Sequence, residues 1–296
     1  MNWNAIKDRI KKKHLFYAAL GAGLLILMIW AFRPASQPVE FAHVQKGAYE
    51  QILHEDGLTR VREKYTVLSP YSGQLMRVER HAGDPVKKGE AVAMVLWDAP
   101  TPIRSPETGT ILKVIREDAG PIEIGQPIME VGNTTSLEIA VDVLSADATQ
   151  VHPGNLIRVL RWGGPHPLEA KVRVVEPQAF IKISSLGVEE RRVRIVADIT
   201  TPRDQWKSLG DNFRLECQII TFRAEKVLKV HTGALFRDGA GWAVYRVIKG
   251  KAKKTPVKIQ MRGPHEAMLE SGLSEGDEIV LYPGDLVVDG SRVKEI

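Results

Sequence analysis

The residues that most often carry out chemistry in proteins are sparse in this chain, and their spacing does not favour catalysis. The histidines include no pair at i, i+4 and have no cysteine at the spacing of a zinc site. No Gly-x-x-x-x-Gly-Lys-Ser/Thr phosphate loop occurs. We therefore predict a protein that is not an enzyme, with no metal and no cofactor. The histidines, interpreted as surface or hydrogen-bonded side chains, are His14, His43, His54, His81, His152, His166, His231 and His265.

Two acidic segments could suggest acid–base chemistry. His81 and Asp84 lie in a glycine-containing turn, which explains both residues without catalysis. Glu189 and Glu190 open an alternating strand and are followed at once by two arginines. We interpret both segments as solvated polar surface, with ion pairs in the second.

The chain contains one cysteine, so it cannot form a disulfide within itself. Phe213, Leu215, Cys217 and Ile219 alternate and share one face of a predicted strand. Cys217 is therefore predicted to be a small buried apolar residue rather than a redox group.

The elements that could position functional residues come from a repeat between Ser69 and Gly132. Ser-Pro-Tyr-Ser-Gly at 69–73 returns as Ser-Pro-Glu-Thr-Gly at 105–109, and the intervals 73–89 and 109–125 both connect two glycines. Duplicated units of this length usually bury their apolar faces against each other. Short apolar strands separated by glycine turns are predicted at 74–78, 91–96, 110–115 and 127–131.

The repeat resembles the lipoyl or biotinyl-carrier fold, a flattened β-sandwich with one copy in each half. A carrier of that kind holds a modifiable lysine at the joint between its halves. Here the joint at 94–103 has no lysine, so a swinging-arm carrier is not expected. Pro100 and Pro102 favour a rigid extended link over a tight hairpin at this place. An unrelated small β-sandwich with glycine turns is the alternative.

Trp97, Asp98 and Pro100 lie at this shortened tip of the predicted sandwich. An exposed indole could act as an anchor for a partner protein. Alternatively, Trp97 folds back over the end of the sandwich. The sequence leaves both possibilities open.

The N-terminal segment predicts a membrane anchor. An uncharged run at 15–32 is long enough to cross a bilayer as a helix, and the basic residues before it place the tail at 1–14 in the cytoplasm. The prediction is a single-pass inner-membrane protein with its bulk in the periplasm. A cleaved signal peptide is the alternative, but no small-x-small site follows Trp30. The basic residues are Lys7, Arg9, Lys11, Lys12 and Lys13.

Net charge gives no support for nucleic-acid binding. The chain has 41 Lys+Arg and 36 Asp+Glu, a net charge of +5. Most of that excess lies in the N-terminal tail, and the remainder is close to neutral with no dense basic run. A nucleic-acid surface needs clustered Lys and Arg to neutralise phosphates.

The rest of the chain predicts a mainly β protein. A linker at 33–40 precedes strands at 41–66, broken near Gly47 and Gly57, which are assigned to two later domains. The lipoyl-like domain at 67–132 is followed by a small β-barrel at 133–222 and a β-rich domain at 223–296. A helical turn at 146–151 capped by Ser145 and a short helix at 266–271 ending at Gly272 are also predicted.

Taken together, these features resemble the periplasmic adaptor subunits, or membrane fusion proteins (HlyD-like), of tripartite efflux and secretion systems. The matching segments are short but follow a specific order. They are Val143-Leu144-Ser145, Arg161-Trp162-Gly163-Gly164, Val175-Glu176-Pro177-Gln178-Ala179-Phe180, Leu186-Gly187-Val188-Glu189-Glu190, Leu209-Gly210-Asp211-Asn212 and Ala234-Leu235-Phe236-Arg237.

The resemblance implies a lipoyl domain, a β-barrel, a membrane-proximal domain and a long α-helical hairpin between the lipoyl halves. This chain has only residues 97–103 in the hairpin's place, so we expect the variant without it. The implied role is a non-catalytic oligomeric adaptor that couples an inner-membrane transporter, of RND or ABC type, to export of small molecules. A second, hairpin-bearing adaptor and an outer-membrane channel are further implied partners. An exported scaffold or binding module without an efflux role is the alternative.

Overall fold

The computed structural model describes residues 36–296, so the predicted membrane span at 15–32 lies outside the described residues. The chain divides into two compact units. A terminal unit combines the residues up to Tyr49 with Ala224–Ile296, and a central unit contains Glu50–Arg223. Among the described residues, no helix has the length and apolar character needed to cross a membrane.

Within the central unit, the repeated segment forms a sandwich of two four-stranded sheets. The first sheet has the order β3-β10-β8-β5 and the second the order β7-β6-β4-β9, so each sheet contains strands from both copies. The strands are β3 (Lys64–Leu68), β4 (Gly73–Leu75), β5 (Pro85–Val86), β6 (Ala91–Leu96), β7 (Pro100–Arg104), β8 (Gly109–Val114), β9 (Gly120–Ile122) and β10 (Pro127–Gly132).

The two copies use the same local hydrogen bonds. Ser69 and Ser105 are buried, and each hydroxyl donates to the carbonyl oxygen two residues later at 2.7 Å. The Gly125 amide donates to the Ser69 carbonyl, and the Gly89 amide donates to the Ser105 carbonyl, both at 2.8 Å. Each copy therefore closes its turn on the serine of the other copy. The sandwich core contains Leu75, Val95, Ile111, Ile128 and Met129.

The remainder of the central unit is a closed barrel. Its strand order is β12-β13-β14-β11-β2-β15, and pairing of β12 with β15 closes it. The strands are β2 (Gln45–Val61), β11 (Leu137–Leu144), β12 (Leu156–Leu160), β13 (Leu168–Ile183), β14 (Glu189–Ile199) and β15 (Arg214–His231). The short helix α1 (Ser145–Ala148) and a 3-10 turn (Arg203–Gln205) lie between them. Alternating residues such as Ile139, Val141, Ile157, Ile195 and Ile219 fill the interior.

The strand pairs of the terminal unit are antiparallel except for one parallel pair, β1 with β21. Its order is β15-β19-β18-β17-β20-β1-β21, and β16 pairs with β17. The strands are β1 (Gln37–His43), β16 (Phe236–Asp238), β17 (Gly241–Ile248), β18 (Lys251–Arg262), β19 (Glu266–Ser271), β20 (Glu278–Leu281) and β21 (Val293–Glu295), with a 3-10 turn at Thr232–Ala234. Strands β2 and β15 contribute residues to both units.

The structure overturns two secondary-structure predictions. The helix expected at 266–271 is strand β19, which pairs with β18, and Gly272 is not a helix cap. At φ = +113°, Gly272 instead passes so close to Pro256 that a Cβ would lie 2.6 Å from its carbonyl oxygen. The breaks expected near Gly47 and Gly57 are also absent, since β2 runs over Gln45–Val61 and the interruption before it is at Val44. Glycine at position 57 makes room for the Cys217 Sγ, which lies 2.8 Å from the position of a Cβ.

The helical turn after β11 forms but is shorter than predicted. It covers Ser145–Ala148, and Leu144 rather than Ser145 is the N-cap, without a side-chain hydrogen bond. The four residues are enough to place Ala148 in the barrel core.

Candidate docking surfaces

The sandwich tip, defined as residues 96–100, is the turn between β6 and β7. Leu96 lies directly opposite Pro100 in the antiparallel register, so the turn consists of Trp97, Asp98 and Ala99. Both Asp98 and Pro100 are exposed. The sandwich therefore presents no lysine amine where a carrier domain would be acylated.

The prediction of an extended link at this tip is wrong, because β6 and β7 form a tight hairpin. Pro100 and Pro102 lie on β7, which is the edge strand of its sheet. An edge strand can accept proline at positions whose N–H would face solvent, since no ladder hydrogen bond is lost there.

Trp97 packs back on the sandwich and is still largely exposed. Its indole packs on the Tyr71 ring with centroids 4.9 Å apart and planes within 9° of parallel. The side chain is nevertheless 62% exposed. Tyr71 supports one face of the indole, while the rest of the side chain remains available to a partner. Partner contact at Trp97 stays a prediction.

The segment Arg161-Trp162-Gly163-Gly164 forms a tightly constrained loop after β12. Trp162 is buried, and its Nε1–H donates to the His166 carbonyl at 2.7 Å. A Cβ on Gly164 would lie 1.9 Å from the indole, so only glycine fits. Gly163 has φ = +99°, and Arg161 is exposed with its Nε 3.1 Å from a Glu216 carboxylate oxygen. Packing of the barrel end accounts for Trp162 and Gly164.

Glu176 and Pro177 lie within β13 rather than beyond its end. The register with β14 shifts between Val175 and Ala179, so the intervening residues form a bulge. A bulge can accept a proline, since the ladder is already interrupted there. The bulge lets β13 continue past the barrel to Ile183.

Beyond that bulge, the β13–β14 hairpin carries a second exposed surface. Its closing turn contains Gly187 at φ = +76°, and the Ser184 amide donates to the Val188 carbonyl at 2.9 Å. Glu189 at the start of β14 is exposed. We call residues 181–188 the hairpin end. Its exposed apolar side chains are Ile181 (56%), Ile183 (67%), Leu186 (88%) and Val188 (58%).

Ion pairs hold the base of this hairpin. The Arg192 guanidinium bridges Glu190 at 2.8 Å and Glu55 at 3.0 Å. Asp142 accepts hydrogen bonds from Lys182 at 2.9 Å and Arg194 at 3.0 Å. This confirms the predicted ion pairing of Glu190.

The environment of Asp142 sets its ionisation. Burial favours the neutral acid, but the hydrogen bonds and charges of Arg194 and Lys182 outweigh that effect and lower the pKa of Asp142. Asp142 therefore stays ionised and joins β11, β13 and β14.

The sequence reasoning missed a second ionic cluster on the barrel. The Glu138 side chain is 3% exposed, and its carboxylate lies 2.6 Å from Arg60 and close to Arg62 and Arg173. Nothing in the local sequence of β11 marks Glu138, since the arginines come from other strands. The cluster can be recognised only when β11 is paired with β2 and lies near β13, because these neighbours bring the arginines to Glu138.

The possible metal ligands and the single thiol are the remaining candidates for chemistry among the described residues. Among residues 36–296, no group of three or more His, Cys, Asp or Glu side chains could hold a metal ion. Cys217 is fully buried in the barrel core, and burial raises the pKa of its thiol to about 12. The predicted apolar role of Cys217 is confirmed. The sandwich tip and the hairpin end, which both expose apolar side chains, are suited to protein contact.

Comparisons with known proteins give matches to both units. Residues 65–131 match the family described as "Biotin-requiring enzyme", and residues 227–295 match the family "YknX, C-terminal permuted SH3-like domain". A Bacillus subtilis (strain 168) protein described as an efflux system component, YknX, is 23% identical over 201 residues. That alignment covers 65% of this chain and 51% of the relative, so the chain spans about half the length of the curated relative.

Solved structures share the fold. MacA from Actinobacillus actinomycetemcomitans aligns with a TM-score of 0.63 at 14% identity, covering 82% of this chain and 99% of that chain. A MacA-MexA chimera containing the Pseudomonas aeruginosa MexA α-hairpin domain aligns with a TM-score of 0.58 at 14% identity, covering 84% and 100%. The resemblance to the periplasmic adaptor proteins inferred from the sequence is confirmed, and so is the mainly β fold with a lipoyl-like domain.

Proposed function

We propose that this chain is a membrane-anchored periplasmic adaptor that assembles around an efflux transporter of the inner membrane. It would couple conformational change in that transporter to the export of small molecules, without catalysing a reaction. The observation that carries the proposal is the lysine-free sandwich tip on a duplicated lipoyl-like domain. The fold is intact, but the feature that would make it a carrier is missing.

The order of modules supports the same function. A lipoyl-like domain, a closed barrel and a C-terminal domain matching a YknX family follow each other along one chain. The relative with that last domain is described as an efflux system component. The sandwich tip and the hairpin end supply apolar surfaces for partner subunits.

The short tip bears on which partners complete the assembly. Three turn residues cannot extend toward a distant channel in the way that a long helical hairpin would. We therefore propose that a second, hairpin-bearing adaptor forms a mixed oligomer with this chain and reaches an outer-membrane channel. The transporter would be of the RND or the ABC class.

Co-isolation from native membranes tests this function. The chain is crosslinked in intact cells, purified through a C-terminal tag and analysed by mass spectrometry. We expect to recover an integral-membrane transporter together with a second adaptor. Recovery of the chain without any transporter would overturn the efflux role and favour an exported scaffold or binding module.

The intact mass of the purified chain tests the remaining alternative. An adaptor should have the mass of its unmodified lysines. An added lipoyl or biotinyl group on a lysine would instead identify a carrier protein.

A further inference from the structure

The chain enters the terminal unit at the start of β1, and this point is tied to two other segments by backbone hydrogen bonds. The Gln37 amide donates to the Arg292 carbonyl at 2.8 Å. The Val293 amide donates to the Gly250 carbonyl at 3.0 Å, and Lys251 forms a β-bridge with Arg292. The β17–β18 turn, the start of β21 and the start of β1 therefore lie side by side.

Basic side chains surround this point. Lys249, Lys251, Arg292 and Lys294 are all exposed, and we call these four residues the basic edge. Among residues 36–296, no carboxylate lies within 4 Å of any of their charged groups, whereas other cations of the same unit are paired. Examples of such pairs are Arg246 with Asp277 at 2.7 Å and Lys254 with Asp238 at 3.1 Å.

Three carboxylates near the basic edge reduce its charge only in part. Asp289 already accepts a hydrogen bond from the Lys254 amide at 2.7 Å. Glu295 follows Lys294 on β21, in register with Val39. Asp285 is exposed on the loop before β21, next to Leu286. Four cations against these three anions leave a small positive excess.

Exposed apolar side chains lie on the loop that leads to the basic edge. Leu286 is 74% exposed and Val288 is 56% exposed. The loop is fixed to β18, because the Gly290 amide donates to the Ala252 carbonyl at 2.7 Å. Basic and apolar side chains on one surface are typical of proteins that lie on a membrane with anionic lipids.

The length of the preceding chain restricts what this surface can meet. The uncharged run predicted to span the membrane ends at residue 32, and only four residues separate it from Gln37. The five residue steps from residue 32 to Gln37 reach about 18 Å at most. A chain held by that anchor must therefore keep the start of β1 close to the lipid headgroups.

We propose that the basic edge, with Leu286 and Val288, binds the headgroups of anionic phospholipids in the anchoring membrane. The inference rests on the anchor of the proposed function. Each basic residue close to an anionic surface should strengthen the contact about fivefold, so removal of two should weaken it about 25-fold. Binding of the edge would fix the orientation of the terminal unit relative to the bilayer.

The test uses the full chain in nanodiscs. Gly284 is exposed and has open space around a Cβ, so Gly284→Cys gives a site for a fluorescent label beside the apolar loop. The native Cys217 is fully buried and should not react in the folded protein. Nanodiscs contain a headgroup spin-labelled lipid as quencher, with either 30% phosphatidylglycerol or phosphatidylcholine alone. We expect strong quenching in the anionic discs, weak quenching in the zwitterionic discs, and loss of the difference in 1 M KCl.

A paired set of charge variants separates the basic edge from overall charge. Lys249→Gln with Lys251→Gln should remove most of the difference in quenching between anionic and zwitterionic discs. Lys46→Gln with Lys226→Gln removes the same charge from two other exposed lysines of the terminal unit, which have no ion pair among residues 36–296, and should leave the quenching unchanged. The opposite end of β1, at His43, lies about 20 Å along the strand from Gln37, and Lys46 comes three residues after it.

The possible failures are distinguishable. A chain that is not retained in the discs would overturn the anchor, and this inference with it. A chain that is retained but shows equal quenching in both lipids, or equal losses in both variants, would overturn the basic edge alone. Absence of quenching in anionic discs would also overturn it, and would assign the surface to a protein partner instead.

Discussion

The Trp97 indole stacks on the Tyr71 ring with centroids 4.9 Å apart. Tyr71 belongs to the Ser-Pro-Tyr-Ser-Gly segment that opens the first repeat copy, and Trp97 follows the last strand of that copy. The stack fixes an indole that would otherwise rotate freely at a turn. A rigid aromatic side chain loses little entropy on binding, which suits an interface anchor.

Replacement of Trp97 by alanine tests this anchor. Because the side chain is largely exposed, the loss of the stack should lower the free energy of unfolding by less than about 1 kcal/mol. Co-isolation of partner subunits should nevertheless fall at least tenfold, as expected for loss of an aromatic hot spot. Quantitative mass spectrometry of crosslinked membranes measures the amount of partner subunits recovered with the chain.

Ile124→Ala is the matched control for this change. Ile124 is 69% exposed and lies in a turn of the same sandwich, between β9 and β10. The Ile124→Ala substitution should leave the recovery of partner subunits unchanged. Equal losses in both variants would show that Trp97 is not a specific anchor.

Gly164→Ala should destabilise the barrel by about 1–3 kcal/mol, because the new Cβ would overlap the buried Trp162 indole. Urea unfolding followed by tryptophan fluorescence measures the change. Gly83→Ala provides a comparison, since a Cβ there meets only open space and the cost comes from its positive φ alone. If Gly164→Ala is no more destabilising than Gly83→Ala, then contact with the Trp162 indole is not the reason for glycine at position 164.

Asp142→Asn should show a pH-dependent effect on stability. The pKa of Asp142 is lowered in the folded protein, so its contribution is complete above its unfolded pKa of about 3.9 and is lost as the pH falls through the lower folded value. At pH 7 the variant should be less stable by about 1–3 kcal/mol. That difference should shrink below about pH 4.

Urea titrations at pH 7, 4 and 3 measure the effect of Asp142→Asn. Asp118→Asn, at an exposed aspartate with no ion pair among the described residues, is the control and should show little difference at any pH. A difference for Asp142→Asn that stays constant down to pH 3 would contradict the ion pairing.

Cys217 should be unreactive in the folded protein. Burial raises the pKa of its thiol to about 12, so neither access nor ionisation favours reaction at neutral pH. Native protein treated with a thiol-reactive dye should incorporate almost none, and urea-unfolded protein should incorporate one equivalent. Rapid labelling of the native protein would show that the barrel opens readily.

The sequence was sufficient for the duplicated sandwich because the constraint is local. Ser69 and Ser105 each sit two residues before the carbonyl that their hydroxyls bond, and Gly89 and Gly125 occupy equivalent turns with positive φ. Such features repeat in the sequence whenever they repeat in the structure. The alternating strands of the barrel were visible for the same reason, since one face is buried.

The misses arose where distant residues decide the structure. A helical assignment at 266–271 was plausible locally, but pairing with β18 makes it a strand. Gly57 looked like a break and is instead the space for Cys217, 160 positions away in the chain. The tight turn at Trp97 could not be predicted from the sequence. Pro100 and Pro102 fit in β7 because β7 is an edge strand, and the position of a strand in its sheet depends on distant residues.

The register of β6 and β7 has a further consequence for evolution and design. Leu96 and Pro100 lie opposite each other, so their Cα atoms are about 5 Å apart at the mouth of the turn. Any segment whose two ends are that close, such as a pair of antiparallel helices, can be spliced in place of residues 97–99 without moving a strand. A single insertion or deletion between β6 and β7 could therefore add or remove a long segment while the structure of the sandwich is conserved.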